Sequence, residues 1–227
     1  MRLVGREIEL VIFDLDGTLI ESTSLWADVD RKFFARRNMT TPPNYGKEIA
    51  HLGLLNAARL TREKYLPNER EEDIINEWHQ LALEAYRFHI PLKENVVELL
   101  ELLKSLDVRI ALATANNRGL YDPCLRRLDI KKYFEVIMDV NSCKSGKNSP
   151  EIYDKISNLF SLDRDQVAVI EDMLTALKTA FDNGYTAIGI YDKNSVINVE
   201  DNKNNSHIFI ENYRELIEII KKENDIQ

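Results

Sequence analysis

The sequence predicts an α/β protein with a doubly wound parallel-sheet core and an inserted all-helical domain. Three features of its 227 residues lead there. From residue 91 onward, short apolar runs alternate with amphipathic helical patterns, as strand–helix–strand crossovers in a parallel sheet require. One further apolar run, Leu10 to Phe13, stands alone near the start. Between them, residues 21–90 carry helical periodicity and no strand pattern. The expected division is a Rossmann-like core made of 1–20 and 91–227, and a helical domain at 21–90.

Each element has its own signal. Leu10 to Phe13 is a continuous apolar run, as a strand buried on both faces needs. Leu25, Val29, Phe33 and Phe34 recur at helical spacing, with Ser22 to Ser24 available as caps and Pro42-Pro43 as a stop. A second helix should run through Ile49, Leu52, Leu55 and Ala58 to Pro67-Asn68. A third spans Glu69 to Phe88, with Ile74, Trp78, Leu81 and Ala85 on one face. Trp26 and Trp78 both fall on apolar faces and read as core, with Trp26 close to the first strand end. In the alternating part, helices are expected at Val96 to Leu106, Tyr121 to Leu128, Pro150 to Phe160, Met173 to Asp182 and Tyr213 to Lys222. Strands are expected at Val108 to Ala113, Glu135 to Met138, Gln166 to Ile170, Thr186 to Tyr191 and His207 to Ile210. Asn183-Gly184 reads as a left-handed helix stop.

Composition excludes several classes. The net charge of −8 gives no basic footprint for nucleic acid. No apolar run is long enough to span a bilayer, so no membrane association is expected. Two cysteines, Cys124 and Cys143, do not suggest a disulfide framework. With no signal-peptide pattern in MRLVGREIEL, a cytoplasmic protein is expected, as a monomer or weak dimer.

The chemistry is concentrated at strand ends, where parallel sheets bind ligands. The first strand stops in Asp14, Leu15, Asp16 and Gly17. Two carboxylates one residue apart repel, so a cation nearby is the simplest compensation. The strand at 108–113 ends in Thr114, Ala115 and Asn116, and the strand at 166–170 in Glu171 and Asp172. Lys147 sits in the loop SCKSGKNSPEIY. Carboxylate oxygens suit Mg²⁺, which takes carboxylates, water and then a substrate phosphate. The hydroxyl, the lysine and backbone amides suit the remaining oxygens of a phosphoryl group.

This set resembles the haloacid dehalogenase superfamily, in its phosphatase and β-phosphoglucomutase branch. DLDGTL at 14–19, the strand ending in Thr114, GKNSPEIY at 146–153 and VIED at 169–172 stand in the family's order, and the helical insert corresponds to a cap domain. There are departures: Asn148 follows the lysine where proline is usual, Met173 and Ala176 replace a serine and a glycine, and Glu21 replaces an aspartate. The resemblance implies a Mg²⁺-dependent phosphatase of small phosphorylated metabolites, such as a sugar phosphate or phosphoglycolate-like compound, working through an aspartyl-phosphate. It implies Asp14 as nucleophile, Asp16 as general acid/base, and Thr114 and Lys147 as catalytic partners of the phosphoryl group. Gly17 and the amides of Ala115 and Asn116 would contact that group, and Lys47 in the cap would meet the substrate. Asp14, Asp16 and Asp172 would hold the metal, Asp16 with its backbone carbonyl available. Glu171 is either a further ligand or an acceptor behind the ligands.

Other readings of the same residues stand beside these. Thr114 could cap the next helix, Asp16 could act purely by charge, and Lys47, His51 and Arg59 could be solvated like most charges on surface helices. His79 and His89 read as packing or surface residues, and Ile20-Glu21 and His89-Pro91 as hinges. A sugar phosphomutase is the alternative activity. Against it, Trp26 stands ten residues after Asp16, where the mutase branch carries a histidine, and no arginine follows Gly46 until Arg59. A non-catalytic phosphoryl-binding protein is the second alternative, disfavoured because pure binding needs no nucleophile.

Overall fold

A computed structural model describes residues 1–49, 52–195 and 198–226, apart from the side chain of Lys47. The apolar runs pair as the sequence predicts. Strands β3 (Leu10–Phe13), β4 (Arg109–Thr114), β5 (Val136–Asp139), β6 (Val167–Glu171), β7 (Thr186–Ile190) and β8 (Ile208–Ile210) form one sheet. Their order is β5-β4-β3-β6-β7-β8, and every pairing is parallel. Ahead of them, β1 (Arg2–Leu3) and β2 (Arg6–Glu7) make an antiparallel hairpin that the sequence reading did not include. Its Val4-Gly5 turn takes positive φ at both residues, the geometry of a tight two-residue hairpin.

Alternate residues of the buried strands serve opposite faces. On one face Leu10, Ile12, Ala111, Ala113, Val167 and Val169 pack with Ile152, Tyr153 and Ile156 of helix α7 (Glu151–Leu159) and Leu177 of α8 (Leu174–Asp182). On the other, Val11, Ile170 and Ile188 lie with Leu99 and Leu103 of α5 (Val96–Ser105) and Leu216 and Ile220 of α10 (Tyr213–Glu223). Both faces being covered explains why these strands are apolar throughout rather than alternating. Two short helices complete this part, α6 (Arg118–Arg127) and α9 (Val199–Asn204); the sequence reading lacked α9 and began α6 three residues late. After α8, Gly184 takes the left-handed conformation at φ +90°, whereas Asn183 does not.

The chain divides into two compact units, Met1–Thr23 with Ile90–Gln227, and Ser24–His89. The segments next to the crossings are tied to the core. Ile20 bridges Leu92, and the Glu21 amide donates to the Pro91 carbonyl at 3.0 Å. Ile20-Glu21, expected as a hinge, is therefore paired backbone.

Among its described residues the helical unit has four helices: α1 (Leu25–Ala35), α2 (Tyr45–Ile49), α3 (Gly53–Tyr65) and α4 (Glu71–Phe88). Among the described residues, the single helix expected across Ile49 to Ala58 is two, and of its expected apolar face Ala58 is buried but Leu55 is not. Leu55 is 65% exposed, while Ala57, Ala58 and Thr61 are buried. Small residues let α3 come close, and the tyrosines fill the space around them. Tyr45 and Thr61 share a hydrogen bond of 2.7 Å, and Phe34 meets Tyr45 edge-on at 4.8 Å. Trp78 is buried as expected, but Trp26 is 54% exposed and is not core. No side chain caps α1; the Ser22 hydroxyl is engaged elsewhere, and Ser24, the N-cap, makes no capping bond.

One buried group in this unit is unfavourable to it. Asp30 is 6% exposed, and burial pushes its carboxyl up to about 6. A folded-state value above the ordinary 3.8 means that ionised Asp30 opposes folding. The penalty is absent at low pH, grows as pH rises from the lower value to the higher, and is full above it, at roughly 2–3 kcal/mol. Asp30→Asn is therefore expected to raise the melting temperature clearly at about pH 8 and less at about pH 4.5. Thermal melts at both pH values check this, and an equal gain at both would show that ionisation is not the cause.

Candidate active site

The sheet reverses its winding at β3, which lies between β4 and β6. The loops leaving these strands diverge there and open a crevice at their carboxyl ends. Asp14 begins the first of these loops, its amide donating to the Ile170 carbonyl at 3.0 Å. The chain then turns sharply, with bonds from the Leu19 amide to the Leu15 carbonyl (2.9 Å) and from the Gly17 amide to the Ile20 carbonyl (3.0 Å). Gly17 takes φ +79° in this turn. Glu171 ends β6, with Asp172 next, and Thr114 ends β4.

Asp14, Glu171 and Asp172 are all buried, with carboxylate oxygens within 4.8 Å of one another. Lys147, from the loop before α7, enters this group and donates to Asp14 Oδ1 and, at 2.6 Å, to Glu171 Oε1. Burial alone would lower the lysine's pKa, but the two carboxylates outweigh it and hold the ammonium firmly charged. One cation cannot balance three acids. Burial, with the repulsion of Asp14 and Asp172 added, pushes Glu171 up despite Lys147. Burial and the charge of Asp14 likewise push Asp172 up to about 7. Asp172 Oδ1 accepts from the Thr18 hydroxyl at 3.2 Å, while its buried Oδ2 has no hydrogen-bond partner among the described residues. A buried carboxylate oxygen with no donor, beside two further acids, is what a bound cation would satisfy.

Asp16 is turned elsewhere. Its carboxylate accepts from the Ser22 hydroxyl at 2.6 Å and the Asn116 side-chain amide at 3.0 Å, and it is outside the three-acid group. Thr114 is fully buried, and its hydroxyl accepts from the Asn116 amide at 3.0 Å. It does not cap α6, whose N-cap is Asn117. As an acceptor there, the hydroxyl keeps its proton for another group. Ala115 is exposed beside it.

Of the cap candidates, Arg59 is exposed and lies 3.8 Å from Glu71. His79 and His89 are exposed, whereas His51 and the Lys47 side chain lie outside the described residues.

Other residues hold the site without having been foreseen. The Asn202 side chain donates to the Asp172 carbonyl at 3.0 Å, and the buried Tyr213 hydroxyl to the Thr18 carbonyl at 3.0 Å. Tyr153 reaches Glu171 Oε1 at 3.4 Å. Tyr153 and Tyr213 carried a weak signal, a phenol on an otherwise apolar helix face. Asn202 carried none, since it lies far along the chain on a short polar helix.

The sequence profile of the haloacid dehalogenase-like hydrolases matches residues 11–190. The chain belongs to that family. Among its relatives is the phosphorylated carbohydrates phosphatase of Thermotoga maritima, 30% identical over 80% of this chain and 84% of that protein. Another is the pyrophosphatase PpaX of Halalkalibacterium halodurans, 24% identical over 73% and 75%. The fold is shared with a Thermotoga maritima protein described as a candidate β-phosphoglucomutase (TM-score 0.84, 23% identity, 95% and 99% covered). It is shared too with a Deinococcus radiodurans hydrolase of the family, solved with bound phosphate and sodium (TM-score 0.76, 21% identity, 98% and 99% covered).

In this member of the family Asp172 is packed against one glycine. A Cβ at Gly17 would lie 2.2 Å from Asp172 Oδ2 and 2.8 Å from Thr23 Cγ2, besides demanding positive φ of an alanine. Gly17→Ala is expected to displace Asp172 and reduce turnover at least about 100-fold, with a lowered melting temperature. Steady-state phosphate release and a thermal melt check it; wild-type turnover would show that Asp172 need not occupy this position.

Proposed function

We propose that this phosphoric monoester hydrolase is a Mg²⁺-dependent phosphatase that removes phosphate from a small phosphorylated metabolite through an aspartyl-phosphate. The observation that carries the reading is the buried, orphaned Asp172 Oδ2 within a three-acid group that a single lysine leaves undercompensated. Asp14, Asp172 and the Asp16 carbonyl would hold the ion. Bound there, Mg²⁺ would neutralise the carboxylates and draw charge from the phosphoryl oxygens. Glu171, already accepting from Lys147 and Tyr153, serves better as the anchor of the lysine than as a ligand.

The chain's own residues would do the rest. A carboxylate oxygen of Asp14 attacks phosphorus, and the bond from phosphorus to the ester oxygen breaks. Asp16, separate from the acid group and hydrogen-bonded by Ser22 and Asn116, gives its proton to the departing oxygen. It then takes a proton from a water whose oxygen attacks phosphorus, releasing inorganic phosphate and restoring Asp14. Lys147 and the Thr114 hydroxyl stabilise the charge on the phosphoryl oxygens in both steps. The substrate class is a sugar phosphate or a phosphoglycolate-like compound, in keeping with a relative named as a phosphorylated carbohydrates phosphatase.

The structural likeness to a candidate β-phosphoglucomutase supports a mutase as second reading. Trp26, at the place of that branch's histidine, has only an indole N–H and accepts no proton, so hydrolysis is favoured.

Asp14→Asn is expected to fold and to lose at least about 1000-fold in turnover, since an amide is not a competent nucleophile. EDTA should abolish wild-type phosphate release and Mg²⁺ restore it, measured across sugar phosphates, phosphoglycolate and polyol phosphates. Near-normal Asp14→Asn activity removes the covalent route, and full activity in metal-free enzyme removes the Mg²⁺ assignment. With β-glucose 1-phosphate and a bisphosphate primer, net phosphate release is expected. Faster formation of glucose 6-phosphate would establish the mutase instead.

A further inference from the structure

The helical unit contains a cavity of about 370 Å³ within its own four helices. Two tryptophans line it: Trp26 from α1, and Trp78 from the middle of α4. Asp30 stands one turn after Trp26, on the same face of α1, and lines it too. The remaining walls among the described residues are apolar or bare: Ile49, Leu54, Ala57 and Gly46. A Cβ on Gly46 would lie 3.6 Å from Asp30 Oδ2, so the glycine leaves space over the carboxylate.

Asp30 is the odd group here. It is 94% buried, yet no hydrogen bond or ion pair to it exists among the described residues. Trp78, another lining residue, has its Nε1 buried with no partner among the described residues. Proteins keep an unpaired buried carboxylate where something else pairs it. We infer that this cavity binds a small organic cation, an ammonium group carrying apolar substituents. Its charge would meet Asp30, its substituents the indole faces and the aliphatic wall.

Other ligand classes fit less well. A hard metal ion needs several oxygen ligands, and the described walls supply one carboxylate. A sugar or polyol would bring more hydroxyls than these walls can satisfy. A neutral apolar molecule would leave Asp30 unpaired. An ammonium with methyl substituents is attracted both by the carboxylate and by the tryptophan faces, the strongest of the aromatic partners for a cation. The destabilisation that ionised Asp30 imposes on the empty fold is then the counterpart of its use in binding.

The cation could be a free amine or the alcohol part of a phosphate ester, and the test separates them. The chain has two tryptophans, both in this cavity, so intrinsic fluorescence reports on it directly. The full-length protein is titrated with choline and with 3,3-dimethylbutan-1-ol, its neutral isostere. A saturable change is expected with choline and none with the isostere, and Asp30→Asn should weaken choline binding at least tenfold. Leu54→Lys, at a 51% exposed wall position, should do the same and guards against a misfolded Asp30 variant. p-Nitrophenyl phosphate, which carries no cation, is the reference substrate for both proteins. In a second arm, which rests on the phosphatase reading, phosphocholine hydrolysis is followed in both proteins. A raised KM for phosphocholine alone assigns the cation to the substrate. An unchanged KM with choline binding intact in wild type assigns it to a separate ligand. Equal responses to choline and its isostere, no response to either, or undiminished choline binding in both variants would overturn the inference, whatever the fate of the phosphatase assignment.

Discussion

Three buried carboxylates share one lysine, and most of the core's architecture follows from keeping them together. Carboxylates this close repel, and burial deepens the penalty. They stay because two strands, β3 and β6, deliver Asp14 and the Glu171-Asp172 pair from adjacent rungs of the sheet. The apolar strands are thus the support of a polar edge. Their hydrophobic burial on both faces supplies the stability against which the charge repulsion is set. Lys147 arrives from a loop and satisfies two of the acids, which leaves Asp172 Oδ2 without a donor or cation among the described residues.

Around that edge a set of uncharged groups fixes geometry. Thr18, Asn202 and Tyr213 hold the Asp172 side chain, its carbonyl and the loop carrying Gly17. Burial and the surrounding acids keep the Tyr213 phenol protonated, so it remains a donor. Ser22 and Asn116 hold Asp16 apart from the acid group, although it is only two residues from Asp14. Neighbours in sequence thereby acquire different environments, which is what the proposed mechanism needs of a nucleophile and a proton carrier.

The helical unit is built on another principle. Its core is aromatic, with Phe33, Phe34, Tyr45, Tyr65 and Trp78 in edge-on and tilted contacts. At its rim, Arg37 bridges Glu69 and Glu77 through bonds of 2.6–2.7 Å. Asp30 is the one buried acid of this unit among the described residues, and it lies beside a cavity instead of a lysine. The core edge and this cavity show the same imbalance among the described residues, a buried negative charge with too little positive charge beside it.

The sequence by itself determined the six-stranded sheet, most of its helices and the acids at the strand ends. Continuous apolar runs such as Leu10 to Phe13 allow only a doubly covered strand, and D-L-D-G-T has few uses in a turn that do not involve charge. These signals are local, so they survive without a fold. What tertiary structure alone decided is non-local. Asn202 reaches Asp172 across 30 positions, and no pattern near either residue announces it. The exposure of Trp26 and Leu55, both on faces that read as apolar, depended on where α1 and α3 found partners. Periodicity states that a helix has an apolar face; only packing states what, if anything, covers it. The spacing of Asp14 and Asp16 likewise does not say which way their carboxylates point; the sharp turn at Gly17 sends that of Asp16 to Ser22 and Asn116.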